Sequence, residues 1–244
     1  MQDLTLFGIL GILLASFIKG VIGFGFPVVS TPILALFMDV KRAVAILIVP
    51  NLVMDGIQSL RRPGLLQTLR RHALLYGFGI VGTFVGTHLL KVIAARTALL
   101  ILAVFVLAFV ALNVSRFTLR VNPRWERVLS PPVGLFAGIL GGITNVPGTP
   151  LVLYFYALGM DKAEFVRSIS FSFLVYKTTQ LLAVTQAGLM TTGLLVLSVG
   201  ATALGLGAFW LGLRVQDRVD QETFNRAVLG FLAVVGVWLG VRAL

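Results

Sequence analysis

The 244-residue sequence has no cysteine, only two histidines and little charge of either sign. Without cysteine there is no disulfide framework and no thiolate metal site. His72 and His88 make no metal-binding pair on their own, so we expect neither a metal nor a cofactor. Charged residues make up 12% of the chain, against about 25% in ordinary soluble domains. This scarcity of charge argues against a soluble fold.

What the sequence has instead is hydrophobic length. Hydrophobic residues make up 58% of the chain, and eight apolar runs separated by short polar links approach or exceed the roughly 20 residues that span a bilayer. The net charge of +11 would suggest a nucleic-acid partner in a soluble protein. Here the basic residues lie mostly in the links, where membrane topology explains them. We therefore predict an all-α integral membrane protein that contacts the lipid bilayer and binds no nucleic acid.

The two halves of the chain repeat one another. Each half has a Gly-x-x-Gly pair followed by a Thr-Pro pair, at a constant offset of 118 residues: Gly20, Gly23, Thr31 and Pro32, then Gly138, Gly141, Thr149 and Pro150. After a four-residue insertion, Asp55 aligns with Lys177 and Gln58 with Gln180. We predict a first transmembrane repeat over 1–115, a linking loop over 116–130 and a second transmembrane repeat over 131–244.

The distribution of positive charge predicts how the chain is threaded. If both glycine-broken segments crossed the membrane, the 18 Lys and Arg residues of the links and termini would divide nine to nine. If each broken segment is a re-entrant hairpin, they divide thirteen to five, and the larger group belongs in the cytoplasm. The prediction is two inverted repeats, each a broken or re-entrant helix pair followed by three transmembrane helices. It also places the chain in the cell inner membrane, with both termini periplasmic.

The broken segments are the first candidate for a binding site. Glycines and Pro27 interrupt the apolar run over 17–38, so a half-helix can begin near Val28, and its counterpart begins at Gly148. A helix N-terminus carries roughly half a positive charge and several free N–H donors. Two such ends that face each other at the membrane midplane would bind an anion. The alternative is that the glycines only permit close helix packing, which does not explain the prolines at 27, 32, 147 and 150.

Ionisable residues inside the apolar runs are the second candidate, since charges there are costly and usually functional or paired. Lys19 lies at the edge of the first break, and Asp55 and Lys177 lie in the middle of their runs. The spacing of Asn51, Asp55 and Gln58 puts them on one helix face. We predict that the two lysines outweigh Asp55 and favour a small anion, with Asp55 as the candidate for proton coupling. A structural ion pair is the alternative.

These patterns predict one set of substrate-binding residues, which supply ammonium, amide, hydroxyl and backbone donors. The set is Lys19, Gly23, Gly25, Ser30, Thr31, Asn51, Gln58, Thr144, Asn145, Thr149, Lys177 and Gln180.

The run Gly-Phe-Gly-Phe-Pro-Val-Val-Ser-Thr-Pro over 23–32 and its counterpart Gly-Gly-Ile-Thr-Asn-Val-Pro-Gly-Thr-Pro over 141–150 resemble the sulfite exporter TauE/SafE family. The resemblance covers both repeats. It implies a membrane permease for sulfite, organosulfonates or related anions, without a cofactor and not an enzyme.

The leading interpretation is therefore a secondary transporter that exports a small sulfur-containing anion by alternating access around a midplane site. A passive anion channel with the same fold is the first alternative. The second is a membrane enzyme that acts on lipid head groups, although the basic loop that it would use contains no carboxylate to serve as a general base. That loop holds Arg61, Arg62, Arg70, Arg71 and His72. Whether the chain forms a homo-oligomer stays open.

Overall fold

The computed structural model describes residues 6–61, 63–114 and 121–216, together with Arg218, Val234, Val237 and Val241. All regular structure in these residues is α-helical. The ten helices described are α1 Leu6–Ile22, α2 Phe26–Ala35, α3 Val40–Leu60, α4 Leu65–Arg71, α5 Ala73–Val92, α6 Ala95–Val114, α7 Pro123–Thr144, α8 Gly148–Ala157, α9 Lys162–Gln186 and α10 Thr192–Val215. Because α7 begins at Pro123, the connection between the halves is shorter than the linking loop predicted over 116–130.

Four of these helices are long and apolar enough to cross a membrane, namely α3, α5, α7 and α10. Helix α9 is longer, at 25 residues, but it carries buried polar side chains along much of its length. It tolerates them because it packs between α3 and α5 in the interior of the protein. The described residues therefore form a helical bundle with its most polar helix at the centre, which is the arrangement expected when polar residues inside a membrane avoid lipid.

Both broken segments fold back on themselves. The rings of Phe7, at the start of α1, and Phe37, just after α2, stack with centroids 6.1 Å apart. In the second half, the hydroxyls of Ser130 in α7 and Tyr154 in α8 lie 2.7 Å apart. A helix that was merely interrupted would carry these pairs far apart, so α1–α2 and α7–α8 are helical hairpins.

The two halves exchange packing partners. Helix α1 packs along α10, and α7 packs along α5. Helices α3 and α9 pack against each other. In addition, α3 packs against α10 of the second half, and α9 packs against α5 of the first half. In the sequence alignment of the halves, α1 corresponds to α7, α3 to α9 and α5 to α10. Each of these contacts therefore has its counterpart, and the halves interlock around α3 and α9.

Glycines hold the α5–α7 and α1–α10 pairs together at close range. A Cβ added to Gly82 or Gly86 of α5 would lie 2.2 Å from a backbone oxygen of α7. A Cβ on Gly138 would lie 2.3 Å from a backbone oxygen of α5, and one on Gly20 would lie 2.4 Å from a backbone oxygen of α10. The packing interpretation is thus correct for Gly20 and Gly138, the first glycine of each repeated motif.

Hydrogen bonds from two arginines join α4, α7, α9 and the segment before α4 at one end of the bundle. Arg71, at the end of α4, donates to both carboxylate oxygens of Glu126 in α7, at 2.8 and 3.0 Å, and to Glu164 in α9 at 2.5 Å. Arg167 of α9 donates to the carbonyl of Pro63 at 2.8 Å. These contacts join segments that the thirteen-to-five division assigned to a single side of the membrane.

Candidate functional site

The first break is a turn that only glycine makes without strain. Helix α1 ends at Ile22, and α2 starts at Phe26. Gly23 and Gly25 between them have φ of +89° and +98°, a region that a Cβ disfavours. The turn directs the chain back along α1 and places Lys19, in the last turn of α1, beside the break. Gly23 and Gly25 therefore shape the break itself, unlike the packing residue Gly20.

The second break uses asparagine where the first uses glycine. Asn145 follows the last residue of α7 with φ of 69°, a left-handed conformation that asparagine tolerates better than most residues. The hydroxyl of Thr144 donates to the carbonyl of Leu140 at 2.7 Å and accepts the N–H of Val146 at 3.2 Å. The sequence pointed to Asn145 only as an amide donor and did not reveal that its backbone makes the turn.

The two half-helices, α2 and α8, lie close together near the second break. The amide nitrogen of Asn145 donates to the hydroxyl of Thr31 at 3.3 Å, across the two halves. A Cβ on Gly148, the first residue of α8, would lie 3.9 Å from Val28 of α2. The hydroxyl of Ser30 instead donates to the carbonyl of Phe26 in its own helix at 2.6 Å. The side chain of Thr149 lies outside what the structure describes.

Lys177 of α9 is buried beside this meeting point, with 1% of its surface exposed. Its ammonium donates to the side-chain oxygen of Asn145, to the Asn145 carbonyl at 3.2 Å and to the side-chain oxygen of Gln180 at 2.6 Å. Gln180 in turn donates to the carbonyl of Gly141 at 3.0 Å. All three acceptors of Lys177 are neutral. Among the described residues, no carboxylate lies within ion-pair distance of this ammonium.

Asp55 of α3 pairs with Lys19 of α1, and both side chains are fully buried. The Lys19 ammonium also lies 5.5 Å from the centre of the Phe173 ring on α9. The sequence alignment had set Asp55 against Lys177, but the direct partner of Asp55 is Lys19. Because Asp55 pairs directly with Lys19, Lys177 has no direct carboxylate partner among the described residues.

Asn51 and Gln58 are buried with Asp55 in α3, which packs against α9. The side-chain nitrogen of Gln58 lies 3.3 Å from the position of a Cβ on Gly23, so this helix borders the first break. The predicted binding residues thus fall into two groups. The first joins Thr31, Asn145, Lys177 and Gln180 by hydrogen bonds, and the second lies along α3 next to Lys19.

Comparison with protein families decides what kind of protein this is. The sequence matches the family described as sulfite exporter TauE/SafE over residues 8–239. The chain belongs to the sulfite exporter TauE/SafE family. Comparisons with curated proteins and with solved structures gave no significant match. Family membership and the apolar helices make this a multi-pass membrane protein of a transporter family.

Two further side chains of α9 border the site in this TauE/SafE chain, and sequence reasoning missed one of them, Ser170. The hydroxyl of Ser170 lies 3.5 Å from the carbonyl of Gly23, and the Phe173 ring lies 3.6 Å from a Cβ on Gly148. The helical spacing of Phe173, Lys177 and Gln180 predicts that these three residues share one face of α9. Ser170 carried no comparable signal, because a serine in an apolar helix usually bonds to its own backbone.

Proposed function

We propose that this TauE/SafE chain is a secondary transporter that exports a small sulfur-containing anion, such as sulfite or an organosulfonate, across the inner membrane by alternating access. The observation that carries this proposal is the buried ammonium of Lys177, which has only neutral partners between two half-helix starts. An unpaired buried charge is strongly unfavourable, so a bound anion would stabilise it. The N–H groups at the two helix starts would add donors and positive potential.

The bonding of Lys177 suggests how binding is coupled to movement. A lysine ammonium has three donors, and Lys177 uses them on two oxygens of Asn145 and one of Gln180. An anion must therefore replace at least one of these acceptors. Release of the Asn145 side chain would also break its bond to Thr31 in the other half. Anion binding would thus loosen a contact between the two halves, which alternating access requires.

The packing supports the inverted-repeat arrangement proposed with this mechanism. The hairpins α1–α2 and α7–α8 occupy corresponding positions, and α1 on α10 mirrors α7 on α5. Inverted repeats with discontinuous helices near the midplane recur among secondary transporters. In this arrangement both termini face the periplasm, and Asp55, a buried carboxylate on the helix that packs against α9, is the candidate group for proton coupling.

The lipid-enzyme alternative loses support from the contacts of the basic loop. Arg61 donates to Gln216 at 2.7 Å, and Arg71 is engaged by Glu126 and Glu164. His72 is 1% exposed, so it does not face the surface where lipid head groups lie. Glu126 and Glu164 do reach this loop from other helices, but both accept hydrogen bonds from Arg71, and Glu126 also lies 3.5 Å from His72, which is buried. These residues act as structural contacts between helices.

The proposal predicts that Lys177→Ala abolishes anion binding or weakens it severely. The measurement is the thermal unfolding midpoint of purified protein with sulfite, sulfate, thiosulfate, taurine or sulfoacetate. A ligand at a hundred times its dissociation constant stabilises the folded state by about 2.7 kcal/mol. The matched control is Lys91→Ala, since the charge of Lys91 lies away from the site on an exposed side chain. If Lys177→Ala binds sulfite as the wild type does, the site is wrong.

Flux into proteoliposomes separates the carrier from the passive channel. A carrier gives anion uptake that saturates with concentration and responds to pH or membrane potential. A channel gives a flux that rises linearly with concentration.

A further inference from the structure

Three buried side chains on α3 have hydrogen-bonding groups without partners. Asn51, Asp55 and Gln58 are 0%, 0% and 3% exposed. Within the described part of the chain, both polar atoms of the Asn51 amide, both polar atoms of the Gln58 amide and the Asp55 Oδ2 have no hydrogen-bond partner. Most buried polar side chains in folded proteins have at least one partner, and an unmet buried group destabilises the folded state. This face of α3 is therefore built to meet a polar group.

Two of the three corresponding positions in the second half, Lys177 and Gln180, are hydrogen-bonded, and the third is Phe173. Gln180 aligns with Gln58, and it donates to the carbonyls of Gly141 and Gly142 at 3.0 and 3.3 Å. Gln58 also borders the first break, with its side-chain nitrogen 3.3 Å from a Cβ on Gly23, but in the described part of the chain it makes no such bond. In the second half, Gln180 thus donates to the backbone next to the break. In the first half, the amide of Gln58 makes no hydrogen bond to the described residues.

The α3 face borders the site of Lys177 through the ring of Phe173. The ammonium of Lys19, bound to Asp55, lies 5.5 Å from the centre of that ring. On the other side, the ring lies 3.6 Å from a Cβ on Gly148, at the start of α8. The Phe173 ring therefore lies between the α3 face and the start of α8, beside which Lys177 is buried.

The chemistry of the α3 face selects what fits there. The two amides offer both N–H donors and oxygen acceptors, and the charge of Asp55 is already offset by Lys19. A cation on this face would be repelled by the Lys19 ammonium, and an apolar group would leave every polar atom unmet. A hydroxyl or an amide both donates and accepts without adding charge. A neutral hydrogen-bonding group is thus the complement of this surface.

We propose that Asn51, Asp55 and Gln58 form a second subsite, which binds the neutral, hydrogen-bonding tail of a monoanionic organosulfonate whose sulfonate group is held at Lys177. This inference rests on the proposed function, since it needs the anion at Lys177. It also goes beyond it, because it selects sulfonates with a hydroxyl or amide tail over inorganic sulfite and over sulfonates with an apolar tail.

The test compares ethanesulfonate with 2-hydroxyethanesulfonate, which share a sulfonate and differ by one hydroxyl. Calorimetric titration of the full-length wild type should give a dissociation constant about tenfold lower for the hydroxylated compound, equivalent to about 1.4 kcal/mol. In the variants Asn51→Leu and Gln58→Met this ratio should fall toward one. Gln186→Met, at an exposed position of α9, should keep the wild-type ratio.

The remaining outcomes each have a definite meaning. Equal affinity of the wild type for both sulfonates overturns the subsite, even if the α3 variants fail to fold, and leaves the anion site at Lys177 in place. The subsite is also overturned if ethanesulfonate binding requires sodium in the wild type and not in Asn51→Leu, because the α3 face would then hold a cation. If neither the sulfonates nor sulfite bind the wild type, the proposed function fails, and the subsite fails with it.

Discussion

At the scale of single residues, Asn145 connects most of what the site does. Its backbone makes the turn between α7 and α8, its oxygens hold Lys177, and its amide nitrogen reaches Thr31 in the other half. Its side-chain oxygen occupies a position on the ammonium that an anion would need. Asn145 is therefore both a part of the folded break and a competitor of the proposed substrate.

This competition predicts opposite results for two substitutions of Asn145. Asn145→Asp would give Lys177 a permanent carboxylate partner, so sulfite should bind at least about tenfold more weakly, a difference of about 1.4 kcal/mol. Asn145→Gly keeps the left-handed backbone and removes the competing oxygen, so binding should be unchanged or tighter. Titration of each purified variant with sulfite measures both effects. Tight binding by Asn145→Asp would argue that Lys177 does not hold the anion.

At the scale of helices, glycine has two distinct roles that the sequence does not separate. Gly23 and Gly25 supply a backbone turn, with φ of +89° and +98°. Gly82 and Gly86 supply a flat surface against which α7 packs. The spacing Gly82-x-x-x-Gly86 is typical of this packing role, since small residues four apart line one side of a helix.

The packing role predicts a contrast between two glycines of α5. A Cβ on Gly86 would lie 2.2 Å from the carbonyl oxygen of Ile139, whereas one on Gly77 would meet no atom within 4 Å. Gly86→Ala should therefore lower the free energy of unfolding by about 1–3 kcal/mol, the usual range for overpacking. Gly77→Ala should be neutral or raise it by up to about 1 kcal/mol, because alanine favours helix. Thermal unfolding in detergent compares the two, and equal losses would contradict this account of the interface.

A side chain of the second half also satisfies a backbone carbonyl of α3 that Pro50 leaves without its helical hydrogen bond. Pro50 lies inside α3 and has no N–H to donate to the carbonyl of Ile46, one turn earlier. The hydroxyl of Ser198 in α10 donates to that carbonyl instead, at 2.6 Å. The interruption by Pro50 directly precedes Asn51, the first residue of the proposed subsite. A neighbouring helix thus stabilises α3 where the helix itself is weakest.

At the scale of the whole molecule, Arg71 ties the two halves together at one end. It lies in the first half and bonds to Glu126 and Glu164 of the second. Its side chain is 39% exposed, so solvent screens these ion pairs and each contributes modestly. A contact of this strength can hold one conformation of a transporter without preventing its exchange with another.

Loss of the Arg71 ion pairs should make this end of the protein open more often. Because the chain has no native cysteine, a single introduced cysteine can report that opening. In a Ser168→Cys background, Arg71→Gln should speed labelling of the buried cysteine by a hydrophilic maleimide about two- to fivefold, as expected for the loss of up to about 1 kcal/mol of ion-pair energy. Arg124→Gln, at an exposed position of α7, is the control and should leave the rate unchanged. High salt should reduce the difference, because it screens exposed charges. Equal labelling rates would mean that Arg71 does not restrain opening at this end.

Much of the architecture was predictable because its causes are local in the sequence. Length and hydropathy predict spanning helices, glycine and proline mark the two breaks, and the imbalance of positive charge predicts the hairpins. The same patterns identified Lys177 and Asp55 as unusual, since charged residues in apolar runs stand out wherever the helices pack. These features require no knowledge of which helix lies beside which.

The pairing of side chains was decided only by the tertiary structure. Asp55 binds Lys19 rather than Lys177, and Arg71 finds its carboxylates on α7 and α9, outside the basic loop in which sequence reasoning searched for them. A residue's partner depends on the distance and rotation between helices far apart in the chain, and no periodic pattern within one helix encodes either. The sequence by itself therefore determined a membrane helix bundle with two breaks and a set of polar residues, and the packing of α3 on α9 decided which of them meet.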